Sequence, residues 1–335
     1  MSRQLPNETA VLVAVRRFLK AAPASSDAKE AMALLISETS RIGLGNLDDW
    51  ERILRAELWS VAQSHSSSQW KLWKKPVSFA SWLDLCNGDG FKRERILRSL
   101  SSAAPNGFLF SLAVRRLNDW VPEVRAAARE HLPLIAELSD PDVVVDALWN
   151  TLPHWASWGR MEELNRLVLI DFIRLEAVSL ALKVRIMRAT AGPATAILAQ
   201  AGRMHTLDKW LLDLARGAIQ PSVRAKSYRS LLEGRMTWLT GHKWSWTDVK
   251  WCKGRFEPVL GERPLRDGEP FLTVLKMALI DRSPLVRCIA ADQFLLHSES
   301  VGEDALVIAE ALAADPSPYI AERGRFWLSR SSGTK

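Results

Sequence analysis

Four helix-start signals of one kind recur along the chain: Asp119-Trp120-Val121-Pro122-Glu123-Val124-Arg125, Gln220-Pro221-Ser222-Val223-Arg224, Asp281-Arg282-Ser283-Pro284-Leu285-Val286-Arg287 and Asp315-Pro316-Ser317-Pro318-Tyr319-Ile320. In the last two, a serine (Ser283, Ser317) is placed to cap orphan amides. The proline after it (Pro284, Pro318) fits the first helical turn, where its missing N–H costs nothing. A signal that restarts a helix at intervals predicts helical hairpins stacked on one another, because the apolar stripe of each helix must be buried by neighbours. Pro284 and Pro318 stand 34 residues apart, an ordinary repeat length for such a stack.

Composition agrees with a helical reading. A chain of 335 residues with 47% apolar content buries a substantial interior, and its 25% charged residues are those of an ordinary globular protein. Long runs rich in Ala, Leu, Arg and Glu favour helix, and no Asn-Gly or Asp-Gly pair separates two alternating apolar runs, so no β-hairpin is expected. The predicted class is all-α. Leu164 to Ile186 is the most apolar long stretch, but Arg166, Asp171, Arg174, Glu176, Lys183 and Arg185 interrupt it, which argues against a bilayer span. The first 20 residues lack the apolar run and cleavage pattern of a signal peptide. Cys86, Cys252 and Cys288 are odd in number and widely spaced, which suggests neither a disulfide framework nor a thiolate zinc site. These features predict a protein of the reducing cytoplasm without a membrane partner.

From residue 105 onward, helical pairs are expected at about 105–137, 140–173, 177–203, 206–233, 270–297 and 304–329. After Pro122, the residues Val124, Ala128, Leu132 and Ile135 keep the three-and-four spacing of one buried stripe, while Arg125, Arg129 and Glu130 point away. Residues 1–104 read as an N-terminal helical region that begins the stack, with helices at about 8–21, 27–42, 47–64 and 91–103. Two segments depart from the pattern and read as loops: Gln69 to Pro76 with Asn87-Gly88-Asp89-Gly90 after it, and residues 234–270, an insertion carried by one repeat.

The run Leu117 to Ala128 resembles the second-helix start of HEAT repeats, where an aspartate, a valine and an arginine recur, and Asp281, Val286 and Arg287 repeat it. The resemblance covers about two thirds of the chain loosely and short segments well. It implies a right-handed α-solenoid of HEAT-like repeats over residues 105–335. It also implies a structural ladder between adjacent repeats, built from Asp119, Arg125, Arg224, Asp281 and Arg287. Gln220 stands where the acid before Arg224 is expected and Ala321 where the last arginine is expected, so the ladder should be interrupted at both. Alternatively, Arg125, Arg224 and Arg287 align as an open cationic stripe.

Fifteen tryptophans are many for this length, and they cluster at Trp70, Trp73 and Trp82, at Trp149, Trp155 and Trp158, and at Trp238, Trp244, Trp246 and Trp251. Each cluster is either packing material between helices or an aromatic binding surface. In the insertion, Arg235, Lys243, Lys250, Lys253 and Arg255 surround four tryptophans against the single acid Asp248. Cations interleaved with aromatics suit an acidic protein partner or a nucleic acid. Trp70, Trp73, Lys74 and Lys75 repeat that chemistry on a smaller scale. The net charge of +7 permits either partner.

The six histidines are scattered, and no His-Glu-x-x-His, Gly-x-Ser-x-Gly or phosphate-loop motif occurs. No catalytic residue, metal ligand or cofactor is therefore assigned. The expected function is a non-enzymatic adaptor or scaffold that grips another protein through a concave solenoid face and through residues 234–270. The alternative is a DNA- or RNA-binding protein. Some bacterial alkylpurine glycosylases are built of similar repeats, and Trp210 with Asp213, or Trp246 with Asp248, imitates their pairing of an acid with tryptophan without matching their motif. An accessory or immunity-type protein that blocks a toxin differs from the first reading only in its partner.

Overall fold

The computed structural model describes residues 5–21, 25–66, 81–266 and 268–332. They form two compact units, Met1–Val178 and Ser179–Lys335. The unit boundary falls inside a helix, whereas the sequence pattern changes near residue 104.

Every regular element among the described residues of the first unit is a helix. It contains α1 (Glu8–Lys20), α2 (Ser26–Ser40), α3 (Leu47–Ser66), α4 (Gly90–Ser99), α5 (Gly107–Val114), α6 (Pro122–Leu138), α7 (Pro141–Thr151) and α8 (Glu163–Phe172), and α9 (Glu176–Arg188) begins in it. α6 packs on α4 and on α8, while α5 packs on α2 and on α7. The expected stripe of α6 is buried at Val124, Ala128, Leu132 and Ile135, and Pro122 occupies its first turn. Its end is sealed by Ser139, whose hydroxyl donates to the Ile135 carbonyl at 2.6 Å and accepts from the Ala104 amide at 2.8 Å. α5 is buried along its whole length, with Phe108 edge-on to Trp50 and Phe110 against Phe172. Trp50, Trp82 and Trp155 are core residues, so for these three rings the packing explanation holds.

The second unit continues with α10 (Ala194–Ala201), α11 (Leu211–Gly217), α12 (Pro221–Glu233), β1 (Arg235–Asp248), β2 (Lys253–Pro264), α13 (Phe271–Leu279), α14 (Pro284–Val301), α15 (Asp304–Ala313) and α16 (Pro318–Ser332). α11, α13 and α15 pack against α12, α14 and α16 in turn, and α14 touches both α12 and α16. The all-α expectation needs one correction. Residues 234–270 are not an irregular loop but carry an antiparallel two-stranded hairpin. It was missed because its tip is not an Asn-Gly turn: Val249 to Cys252 make the reversal, with Cys252 itself in the left-handed region at φ 50°.

The helix-start signals act through one recurring contact. Arg93, Arg125, Arg224 and Arg287 each donate through one guanidinium nitrogen to the carbonyl six residues earlier, at Asn87, Asp119, Ala218 and Asp281. The rest of the fork reaches an acid of the following turn. Arg93 grips Asp119 at 2.7 and 2.9 Å, Arg224 grips Asp281 at 2.9 Å through two nitrogens, and Arg287 grips Asp315 at 2.7 and 3.1 Å. Each of these aspartates also accepts the amide two residues on, from Val121, Ser283 or Ser317. One carboxylate thereby shapes its own turn and holds the preceding one.

Two departures follow from residue type. The acid that meets Arg125 is Glu162, which takes a single bond at 3.0 Å and leaves the buried Arg125 Nε without a partner. Gln220 offers an amide where other turns offer a carboxylate, and its buried Nε2 is likewise unpartnered. The expected interruption lies at Gln220 itself, while the rung that leaves Arg224 is intact. An open cationic stripe is excluded, because Arg224 is buried and the forks of Arg125 and Arg287 are engaged.

Burial pushes the Asp119 carboxyl upward, but hydrogen bonds from Arg93 and the Val121 amide, with the charges of Arg116 and Arg93, hold it below the usual aspartate value. Asp281 is lowered against burial by Arg224 and the Ser283 amide, and Asp315 is lowered chiefly by Arg287. Replacing Arg93 by Ala takes two charge-assisted hydrogen bonds from a buried carboxylate that keeps Arg116 as its remaining ion-pair partner, and should cost about 1.5–3 kcal/mol in denaturant unfolding, against less than about 0.5 kcal/mol for Arg17→Ala, whose acidic partners are exposed. On acidification the unfolded aspartates take up protons before the folded ones. Stability should therefore be full above about pH 4 and decline as pH falls through the lower folded values, and Asp119→Asn with Asp315→Asn should flatten that decline in a pH series of melting temperatures.

Candidate interaction hairpin

Gly234, in the left-handed conformation at φ 65°, ends α12 and turns the chain into β1. Its carbonyl accepts the Leu265 amide at 2.9 Å and closes the root of the hairpin. Met236 is fully buried, and Gln200 and Lys226 donate to the outward carbonyls of Leu239 and Thr237. Burial lowers the Lys226 ammonium to a pKa of about 8. On β2, Arg263 donates to the carbonyls of Gly202, Arg203 and Met204 and grips both oxygens of the buried Asp208. Trp238 is half-buried, its ring over Gly261 and beneath the Arg203 guanidinium. Of the residues singled out from the sequence, Trp238 and Arg235 belong to this root, and Arg235 is neutralised by Glu233 and Glu262.

Beyond the root the strands leave the helices. Register shifts at Thr240 and Thr247 mark bulges, and between them Lys243 pairs with Glu257, Trp244 with Phe256, Ser245 with Arg255 and Trp246 with Gly254. Alternation puts Trp244, Trp246, Phe256 and Leu260 on one face, and Lys243, Arg255 and Glu257 on the other. On the first face, Trp244 meets Phe256 at 5.0 Å and Trp246 at 5.5 Å, both edge-to-face. The indole of Trp244 covers Gly254, where a Cβ would stand 2.6 Å from two ring carbons. The face is nonetheless open to solvent: Trp244 is 43% exposed, Trp246 55%, Leu260 60% and Phe256 68%. Val249 and Trp251 are exposed at the tip, with the Lys250 ammonium 5.6 Å from the Trp251 ring centre.

Exposed aromatics held in fixed mutual geometry on an anchored hairpin make a pre-organised apolar contact surface. Leu260 and Phe256 belong to it and were not foreseen, because they lie on β2 and reach the tryptophans only through strand pairing. The edge of β2 carries Pro258 and Pro264, which have no N–H to offer an added strand. Contact through the side-chain face is therefore favoured over strand addition there.

The remaining sequence candidates separate. Trp70, Trp73, Lys74 and Lys75 lie outside the described residues. Asp213 is bound by Lys183 at 2.8 Å, and two lysines lie over the Trp210 ring. Asp248 is used by the tip, where it accepts the Trp251 amide. In the first unit, a polar recess of about 430 Å³ is walled by Glu51, Arg115, Arg116 and Asp119, and there the charges satisfy one another. Buried Glu51 is held below the usual glutamate value because the charges of Arg116 and Arg115 outweigh its desolvation. Among the described residues no group of three or more His, Cys, Asp or Glu is placed to hold a metal, and no helix is long and apolar enough to cross a membrane.

Comparison of the chain with protein-family models, curated proteins and solved structures found no significant match. Gly254→Ala should displace the Trp244 ring and weaken the near-UV circular dichroism of the aromatic trio while the far-UV helical signal stays constant; an unchanged near-UV spectrum would show that the trio does not rest on that glycine.

Proposed function

We propose that this protein is a non-enzymatic adaptor of the cytoplasm, that its helical pairs stack as a HEAT-like right-handed α-solenoid, and that the hairpin is its principal contact with another protein. The stacking is supported inside each unit by the repeated arginine fork between turns and by the packing of alternate helices on one another. The observation that carries the functional reading is the open aromatic face of Trp244, Trp246, Phe256 and Leu260 on a firmly anchored root. A contiguous apolar face left in water is unfavourable by the hydrophobic effect, and docking a protein over it recovers that free energy.

Protein is favoured over nucleic acid by ring geometry. Bases stack on open aromatic faces, whereas Trp244 is packed edge-to-face with both neighbours and Trp251 lies under its own lysine. Such rings offer a corrugated apolar surface, which suits the side chains of a protein interface.

Affinity capture with the full chain in nuclease-treated extract is expected to retain a partner protein. Trp246→Ala with Trp251→Ala should weaken that capture by about thirtyfold or more, since truncating a central aromatic anchor costs on the order of 2 kcal/mol. The far-UV spectrum should be unchanged. Capture that persists in the double variant, or that disappears with nuclease alone, would overturn the assignment.

A further inference from the structure

We infer that the hairpin's partner is an acidic amphipathic segment of protein, whose apolar side chains cover the aromatic face and whose carboxylates meet the lysines around it. This rests on the protein-binding reading above and adds the chemistry of the partner. The argument starts from charge. Beyond its root the hairpin carries Lys243, Lys250, Lys253 and Arg255 against Asp248 and Glu257. Arg255 is paired with Glu257 at 3.0 Å, and the Asp248 carboxylate is tied to the Trp251 amide in the tip turn. Three lysines are left without a carboxylate partner among the described residues. Lys250 and Lys253 stand at the tip, where the aromatic face ends, and by the strand alternation Lys253, like Lys243 beside Trp244, has its side chain on the opposite face.

No acid lies among the exposed positions His242, Trp244, Trp246, Phe256, Pro258 and Leu260 of this face; the next β2 residue on it, Glu262, is already paired with Arg235 at 2.6 Å. An apolar centre whose cations outnumber the nearby acids and stand unpaired toward the tip selects a ligand that is apolar in its middle and anionic at that end. A second copy of this chain does not meet that description, because its hairpin carries the same excess of cations over acids. A basic partner is disfavoured for the same reason. The anchored root adds to the selectivity, because the face is held by Arg263, Gln200 and Lys226 before any partner arrives and little ordering remains to be done on binding.

The test uses the full chain and three labelled synthetic peptides: one of Glu, Asp and Leu in amphipathic helical order, the same peptide with Lys in place of every acid, and the acidic peptide with Ser in place of Leu. Fluorescence anisotropy should show the acidic amphipathic peptide bound at least about tenfold more tightly than either control, the sum expected of a few exposed ion pairs against the lysine peptide and of lost apolar burial against the serine peptide. Its affinity should fall as salt is raised. Lys243→Glu with Lys250→Glu and Lys253→Glu, all exposed positions, should reverse the preference between the acidic and basic peptides. Trp244→Ser with Phe256→Ser should abolish binding of both at constant helical circular dichroism.

Equal binding of acidic and basic peptides would overturn the inference. So would displacement of the acidic peptide by a single-stranded oligonucleotide or by vesicles of anionic lipid at lower concentration. If the peptides show no charge preference while Trp246→Ala with Trp251→Ala still loses the captured protein, the partner chemistry fails and the protein-binding reading stands. If neither responds, both fail.

Discussion

The contact on which the described turns depend is an arginine that faces two ways. Its guanidinium donates to a carbonyl six residues back, which fixes the helix start, and its remaining nitrogens close on the carboxylate of the next turn. A planar fork with five donors serves both partners at once, which a lysine cannot do. The carboxylate in turn accepts a local amide, so turn conformation and turn-to-turn spacing are set by the same atoms. Because several of these groups are buried, each would be costly alone and is stable only as part of the pair. Where Arg125 meets a glutamate, Glu162, it leaves its own buried Nε unpartnered, and at Gln220, where an amide replaces the turn's carboxylate, the buried Nε2 is left over.

The hairpin obeys a different logic on the same scaffold. Its root is treated as core, with a buried methionine, an arginine closed on a buried aspartate, and side-chain donors on the outward carbonyls. Its outer half is treated as surface, yet it carries the residues that usually fill cores. The contrast within one element separates anchoring from recognition. Rigidity at the root lets the aromatic face be presented in one arrangement, and edge-to-face packing among its rings limits what can sit on it.

Much of the repeat could be read from residue spacing. The prolines at 122, 221, 284 and 318 mark helix starts because a first-turn proline loses no intrahelical hydrogen bond, and the structure begins α6, α12, α14 and α16 at those residues, whereas Pro133 lies inside α6 and marks no start. The rung from Arg93 is absent from the ladder expected of the sequence, because Asn87-Gly88-Asp89-Gly90 reads as a plain loop, although Asn87 precedes Arg93 by the same six residues that separate Asp119 from Arg125. The hairpin was hidden because its tip turns on Cys252 and its two bulges break the alternation by which strands are recognised.

The sequence by itself determined where helices begin, which faces they bury and which arginines and acids recur, since these follow from local sterics and from helical periodicity. It did not determine which tryptophans meet water. Trp50, Trp82 and Trp155 vanish into the core while Trp244, Trp246 and Trp251 stand exposed. Nothing in a single indole distinguishes the two sets, because burial depends on what the rest of the chain places over it. Tertiary structure also decided that Phe256 and Leu260 join Trp244 and Trp246, for strand pairing brings together residues that sequence distance keeps apart.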